Sequence, residues 1–69
     1  MKNIVKRLRA ERGWSQARLG EELNISRQSV IAIEAGRYAP SLPLAFRIAG
    51  VFGLPIEAVF FPEEDDAQP

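Results

Sequence analysis

Arg27 and Gln28 stand side by side behind Ser26 in the stretch NISRQSVIAIEAGRYAPS, residues 24–41. Ser26 is a helix-capping residue type, and apolar residues recur behind it at helical spacing. The outward positions of such a helix are Arg27, Gln28, Ser29, Ile31 and Ala32. They offer a planar guanidinium fork, an amide that both donates and accepts, and small or apolar groups. No acid solubilises that face. The other chemically capable residues do not assemble a catalyst. Ser26 and Ser29 have no histidine anywhere in the chain and no lysine nearby in sequence to act as a base. Glu63, Glu64, Asp65 and Asp66 form a carboxylate run on a segment expected to be mobile, which cannot hold catalytic geometry. The run also lacks the ligand spacing of a Ca²⁺ loop. An enzyme is the least favoured class.

The composition narrows the classes further. A chain of 69 residues is one domain at most, and a chain of this size buries only ~60 % of its unfolded surface. The absence of cysteine and histidine excludes a disulfide framework, a Cys- or His-containing zinc site and a histidine base. No apolar run approaches the ~18 residues of a membrane span, and the basic start lacks the apolar region of a signal peptide. A soluble, cytoplasmic protein is expected, with no cofactor and no metal. Formal net charge is zero, but its distribution is uneven. Lys2, Lys6, Arg7, Arg9, Arg12 and Arg18 face only Glu11 in the first eighteen residues, a local +5, whereas residues 63 to 66 carry −4. A basic face with an acidic tail fits this asymmetry.

Punctuation residues divide the chain into elements that must position Arg27 and Gln28. Lys2 to Arg12 has helical periodicity and stops at Gly13. A second helix begins at the Ser15 cap and runs to Asn24, and a third runs from Ser26 to Gly36. Trp14, beside the cap, is read as a hydrophobic staple and core residue. After RYAPS, Pro43 falls in the first turn of a fourth helix, where its missing N–H does little harm. Leu44, Ala45, Ile48, Ala49 and Phe52 are its apolar stripe, closed by Gly53. PIEAVF forms a fifth, short helical turn, and residues 63–69 read as a disordered tail beyond a 1–62 domain. Short connections and no alternating pattern predict an all-α bundle of five helices.

The decisive unit is QARLGEELNISRQSVIAIEA, residues 16–35. Two helices meet across LNIS, and a steep crossing needs a small residue on the first helix. Gly20 is there despite a helix-propensity cost of ~1 kcal/mol relative to Ala. The turn needs a residue tolerant of positive φ, and Asn24 is the best choice after Gly. Leu19, Leu23, Ile25, Val30 and Ile33 fill the angle. These are the requirements of a helix-turn-helix.

The pattern SQ-x-x-L-G-x-x-L-N-I-S-x-x-x-V-x-x-I-E-x-G resembles the lambda repressor, Cro and xenobiotic-response-element (XRE) family of DNA-binding domains. With LRAERGWSQ before it and RYAPSLPLAFRIAGVFGLPIEAVF after it, the resemblance covers about residues 4 to 60. In length the chain is similar to small stand-alone regulators of the cytolysin-repressor type. Gly20 and Asn24 depart from the Ala and Gly usual in the family, and both are physically tolerable.

The resemblance implies a lambda-repressor-like fold with residues 26–35 as the helix that enters the major groove of double-stranded DNA. Arg27 and Gln28 match the leading base-contact positions, where Arg suits guanine and Gln suits adenine. Ala32 lies one turn further on. Ile31 is open to a thymine methyl, the sugar backbone or partial burial. Gln16 matches a glutamine that binds phosphate and braces the first reading residue, here Arg27. Ser26 and Ser29 are expected as cap and phosphate contacts, and Arg37, Tyr38 and Ser41 as backbone contacts from the following loop. Tyr38 is equally open to packing on Pro40. Lys2, Lys6 and Arg7 are weaker phosphate candidates. Arg9 and Glu34 match a structural ion pair, with Arg9 also open to phosphate contact.

One reading helix covers too few base pairs for specificity, so a homodimer on operator DNA is expected. Leu54, Ile56, Val59, Phe60 and Phe61 place five large apolar residues in eight positions, more than a short turn buries. They are the expected dimer interface; the alternative is that they close a monomeric core. The functional expectation is a sequence-specific transcriptional regulator, with no small-molecule effector evident. The rival reading is an antitoxin or partner-binding adaptor that uses the acidic tail as a ligand.

Overall fold

The computed structural model describes residues 1–37 and 39–62. The expectations attached to Tyr38 and to residues 63–69 lie outside the described residues. The element order is β1 (Lys2–Asn3), α1 (Val5–Glu11), α2 (Gln16–Leu23), α3 (Arg27–Glu34), α4 (Leu42–Val51), a 3₁₀ turn (Ile56–Ala58) and β2 (Phe60–Phe61). No helix among the described residues is long and apolar enough to cross a membrane.

The helical architecture and the helix-turn-helix are as expected, but the expected five helices are corrected to four α-helices among the described residues. The segment after Gly53 makes only one 3₁₀ turn, closed by Ala58 N–H to Pro55 O and Val59 N–H to Ile56 O, both at 3.0 Å. It stops there because Val59 and Phe60 are drawn into the core, at 0 % and 7 % exposure. The backbone then extends, and β2 pairs antiparallel with β1, Lys2 opposite Phe61 and Asn3 opposite Phe60. The first helix accordingly begins at Val5 and not at Lys2.

Asn3 makes that late start possible. Its Oδ1 accepts from Val5 N–H at 3.0 Å, and its Nδ2 donates to the Ile33 carbonyl at 2.8 Å. One side chain therefore satisfies the first N–H of α1 and ties that end of the helix to the end of α3. The core is mostly aliphatic, with Phe52 and Phe60 also buried in it. Val5 and Leu8 of α1, Leu19 and Leu23 of α2, Val30 and Ile33 of α3, and Ile48 of α4 are all buried.

The α2–α3 unit is built as its residue types require. Ser15 and Ser26 cap the two helices, accepting from Arg18 N–H at 3.0 Å and Ser29 N–H at 3.1 Å. Asn24 takes the left-handed conformation, φ 58 and ψ 45, and reverses the chain at modest steric cost. At Gly20 an added Cβ would lie 2.8 Å from the Ile25 carbonyl oxygen, so the turn folds directly against the helix. Arg47 of α4 donates to the Leu23 carbonyl and satisfies the C-terminal end of α2. Ser41 caps α4 by accepting from Leu44 N–H at 3.3 Å.

Candidate nucleic-acid interface

The first turn of α3 carries Arg27 and Gln28 exposed to solvent, while Ser29, Ile31 and Ala32 are half-buried. Of the alternatives for Ile31, partial burial is therefore observed. Ile31 lines a shallow depression of about 190 Å³ with Lys6, Gln16, Glu34 and Ala35. Lys6 thus brings a positive charge from α1 beside α3. No acid of α3 faces outward from its first turn.

Behind this face runs a connected polar network. Arg9 donates from Nε to Glu34 Oε2 at 2.6 Å and from Nη2 to Glu34 Oε1 at 3.2 Å. The side chains are only 13 % and 4 % exposed, so this is a forked, largely buried pair tying α1 to the last turn of α3. The hydrogen bonds from Arg9 to the Glu34 carboxylate raise the guanidinium above its ordinary pKa, against the opposing effect of burial. Arg9 Nη1 donates to the Trp14 carbonyl at 2.8 Å. All three of its nitrogens are engaged inside the protein, which favours the structural role over a phosphate contact.

The network continues outward. Gln16 Nε2 donates to Glu34 Oε1 at 3.2 Å. Arg27 Nη2 in turn donates to Gln16 Oε1 at 3.4 Å. Through Gln16, Arg27 is thus linked to the ion pair by hydrogen bonds. The profile of the Helix-turn-helix family matches residues 5–59 of this chain.

The chain belongs to the XRE-type helix-turn-helix family. It is 52 % identical over 66 residues to the uncharacterized HTH-type transcriptional regulator YgzD of Bacillus subtilis, covering 96 % of this chain and 100 % of the relative. An HTH-type transcriptional regulator of Methanocaldococcus jannaschii is 50 % identical over the same shares of both chains. The immunity repressor protein of Bacillus phage phi105 is 38 % identical over 55 residues, 80 % of this chain and 38 % of that protein.

Within this helix-turn-helix domain, the backbone-contact candidates are placed unequally. Arg37 and Ser41 are exposed on the segment that follows α3. The Ser26 and Ser29 hydroxyls bond each other at 3.0 Å while Ser26 caps the helix. Much of the basic N-terminal excess is used internally. Arg7 pairs with Glu11 at 3.6 Å and Arg18 with Glu22 at 2.9 Å. Arg12 and Arg18 both lie over the Trp14 ring, 5.2 and 4.9 Å from its centroid. Trp14 also meets Phe52, with ring centroids 6.0 Å apart. Trp14 is therefore a half-buried structural residue, and it draws two guanidiniums onto its faces.

The apolar surface differs from the one expected. Val59 and Phe60 are core residues, so they are not available as exposed interface groups, whereas Ile56 and Phe61 are half-buried and Leu54 is exposed. Among the described residues, the most exposed large hydrophobics are Leu42 and Phe46 of α4, at 63 % and 55 %. Sequence reasoning missed both. Leu42 and Ile56 share the wall of an apolar groove of about 350 Å³ with Ala45, Phe60 and Pro62.

Proposed function

We propose that the chain is a sequence-specific transcriptional regulator that binds operator DNA as a homodimer, with α3 in the major groove. The observation that carries the reading is the leading end of α3. Arg27 and Gln28 are exposed there together, without an acid, and Arg27 is held by a network that reaches the core. Arg27 then reads a guanine edge and Gln28 an adenine edge, the pairings their donors and acceptors suit. Ala32 and the exposed part of Ile31 supply apolar contact beside them. Gln16, Ser26, Ser29, Arg37 and Ser41 hold the phosphates that set the register. The transcriptional-regulator names of the relatives, including a phage immunity repressor, support the class.

Assembly follows from what one short helix can read. Two must act across ~34–36 Å of duplex. Leu42 and Ile56 of the apolar groove, with the exposed Phe46 and Leu54 and the half-buried Phe61, are the proposed contributors to a twofold surface. Occupation of a promoter by such a dimer is the proposed mode of regulation.

Selection of bound sites from a random DNA library tests the reading. The expected product is an inverted repeat with half-site centres ~10 base pairs apart or a multiple of that. Recovery of no preferred sequence would sink it.

A further inference from the structure

We propose that the Arg9–Glu34 pair is a specificity device as well as a scaffold: it fixes which way the Gln16 amide faces, and through it the guanidinium of Arg27. The inference rests on the base-reading role given to Arg27 above. A glutamine amide has two ends of similar shape and opposite polarity, so orientation is decided by its neighbours. Here both neighbours decide it the same way. The Glu34 carboxylate, held by the Arg9 fork, accepts from Gln16 Nε2 at 3.2 Å. Arg27 donates to Gln16 Oε1 at 3.4 Å.

Turning the amide over would set its carbonyl against the carboxylate and its N–H groups against the guanidinium. Both contacts would be repulsive. Polarity thus alternates without a break from Arg9 through Glu34 and the two ends of the Gln16 amide to Arg27. Glu34 is 4 % exposed at the side chain and Gln16 is half-buried, so solvent competes little for the inner links. The second N–H of Gln16 remains available for a phosphate.

What this arrangement does is restrict Arg27 before DNA arrives. A guanidinium already held on one side loses fewer rotamers on meeting a base edge. It is also penalised more when the base presents the wrong pattern. Glu34 touches no DNA in this account and is a positioning residue. Its effect falls on the base pair read by Arg27 and leaves the pair read by Gln28 alone. A purely structural ion pair would instead lower stability and affinity on all sequences together.

The test uses the full chain and its selected operator, with every single-base variant of one half-site. Glu34→Gln keeps the shape and removes the charge that polarises the amide. Discrimination at the Arg27 base pair is expected to fall roughly three- to tenfold, within the range of coupling in one hydrogen-bonded network, and to hold at the Gln28 pair. Gln16→Met leaves Arg9 and Glu34 in place. It should lose the same discrimination at an unchanged melting temperature, and adding Glu34→Gln to it should cost no further discrimination. In the free protein, NMR should show the Gln16 side-chain amide protons exchanging more slowly than those of Gln28, and equally fast in Glu34→Gln. Unchanged discrimination in folded Glu34→Gln would overturn the proposal. If that variant does not fold, unchanged discrimination in Gln16→Met overturns it alone. A library with no preferred sequence would fail the DNA reading, and the specificity role with it. A preferred sequence with Gln16 and Gln28 protons exchanging alike in the wild type would fail the relay only.

Discussion

The α2–α3 side and the α4 side of this molecule solve opposite problems with opposite materials. The first exposes polar groups and anchors them on a buried ion pair. The second exposes Leu42 and Phe46 and borders an apolar groove. Burial of a charged pair is costly, and here the pair lies behind the exposed face that carries Arg27 and Gln28. The apolar side needs only area and shape.

That contrast yields predictions of decreasing size. Glu34→Ala removes one partner of a largely buried pair and leaves Arg9 uncompensated. A loss of ~3–5 kcal/mol of unfolding free energy is expected, read as a lower denaturant midpoint of the free protein, and a midpoint equal to wild type would dissolve the contrast. Arg27→Ala, on an exposed side chain, should leave that midpoint nearly unchanged. It should cost ~1–3 kcal/mol per half-site in binding, confined to one base pair. Equal weakening on every operator variant would make Arg27 a phosphate ligand.

Phe46→Glu is the matching probe on the other side. An exposed position of this kind changes folding stability within about 0.5 kcal/mol, yet it should convert a micromolar dimer to monomer in sedimentation. A wild type that is already monomeric there without DNA would remove the apolar face from assembly. The smallest effect is expected at Arg37. Its replacement by Ala should weaken all operators alike and reduce the salt slope of binding by about one ion per half-site. An unaltered slope would take Arg37 off the phosphate contacts.

The sequence made the α2–α3 unit legible because its signals are local. A cap, a small crossing residue and a left-handed turn residue occur within a dozen positions, and each was found where expected. The same holds for the Arg27 and Gln28 exposures. Arg9 and Glu34 are far apart in sequence, and only resemblance joined them. The bond from Gln16 to Glu34 had no sequence signal, since it depends on two helices meeting. The β1–β2 pair was equally invisible, because strands of two residues have no period to detect. Leu54 to Phe61 showed an apolar excess without showing its direction, and Val59 and Phe60 turned inward. Leu42 and Phe46 were within reach. Once Leu44, Ala45, Ile48 and Phe52 define the buried stripe of α4, positions 42 and 46 fall outside it.

The strand pair also makes the described chain a closed ring. Lys2 meets Phe61 across almost its whole length, and Ile4 N–H donates to Val59 O at 3.1 Å beside that junction. Closing so long a loop carries an entropic cost that a contact within α2–α3 does not. The ring should therefore zip late in folding and open early in local fluctuations, ahead of the helix-turn-helix. Opening it would loosen α1, the helix that carries Arg9, and the slack would reach Glu34. If Arg27 reads a base as proposed, a clasp of two residue pairs far from it in the chain would set how long it stays aimed.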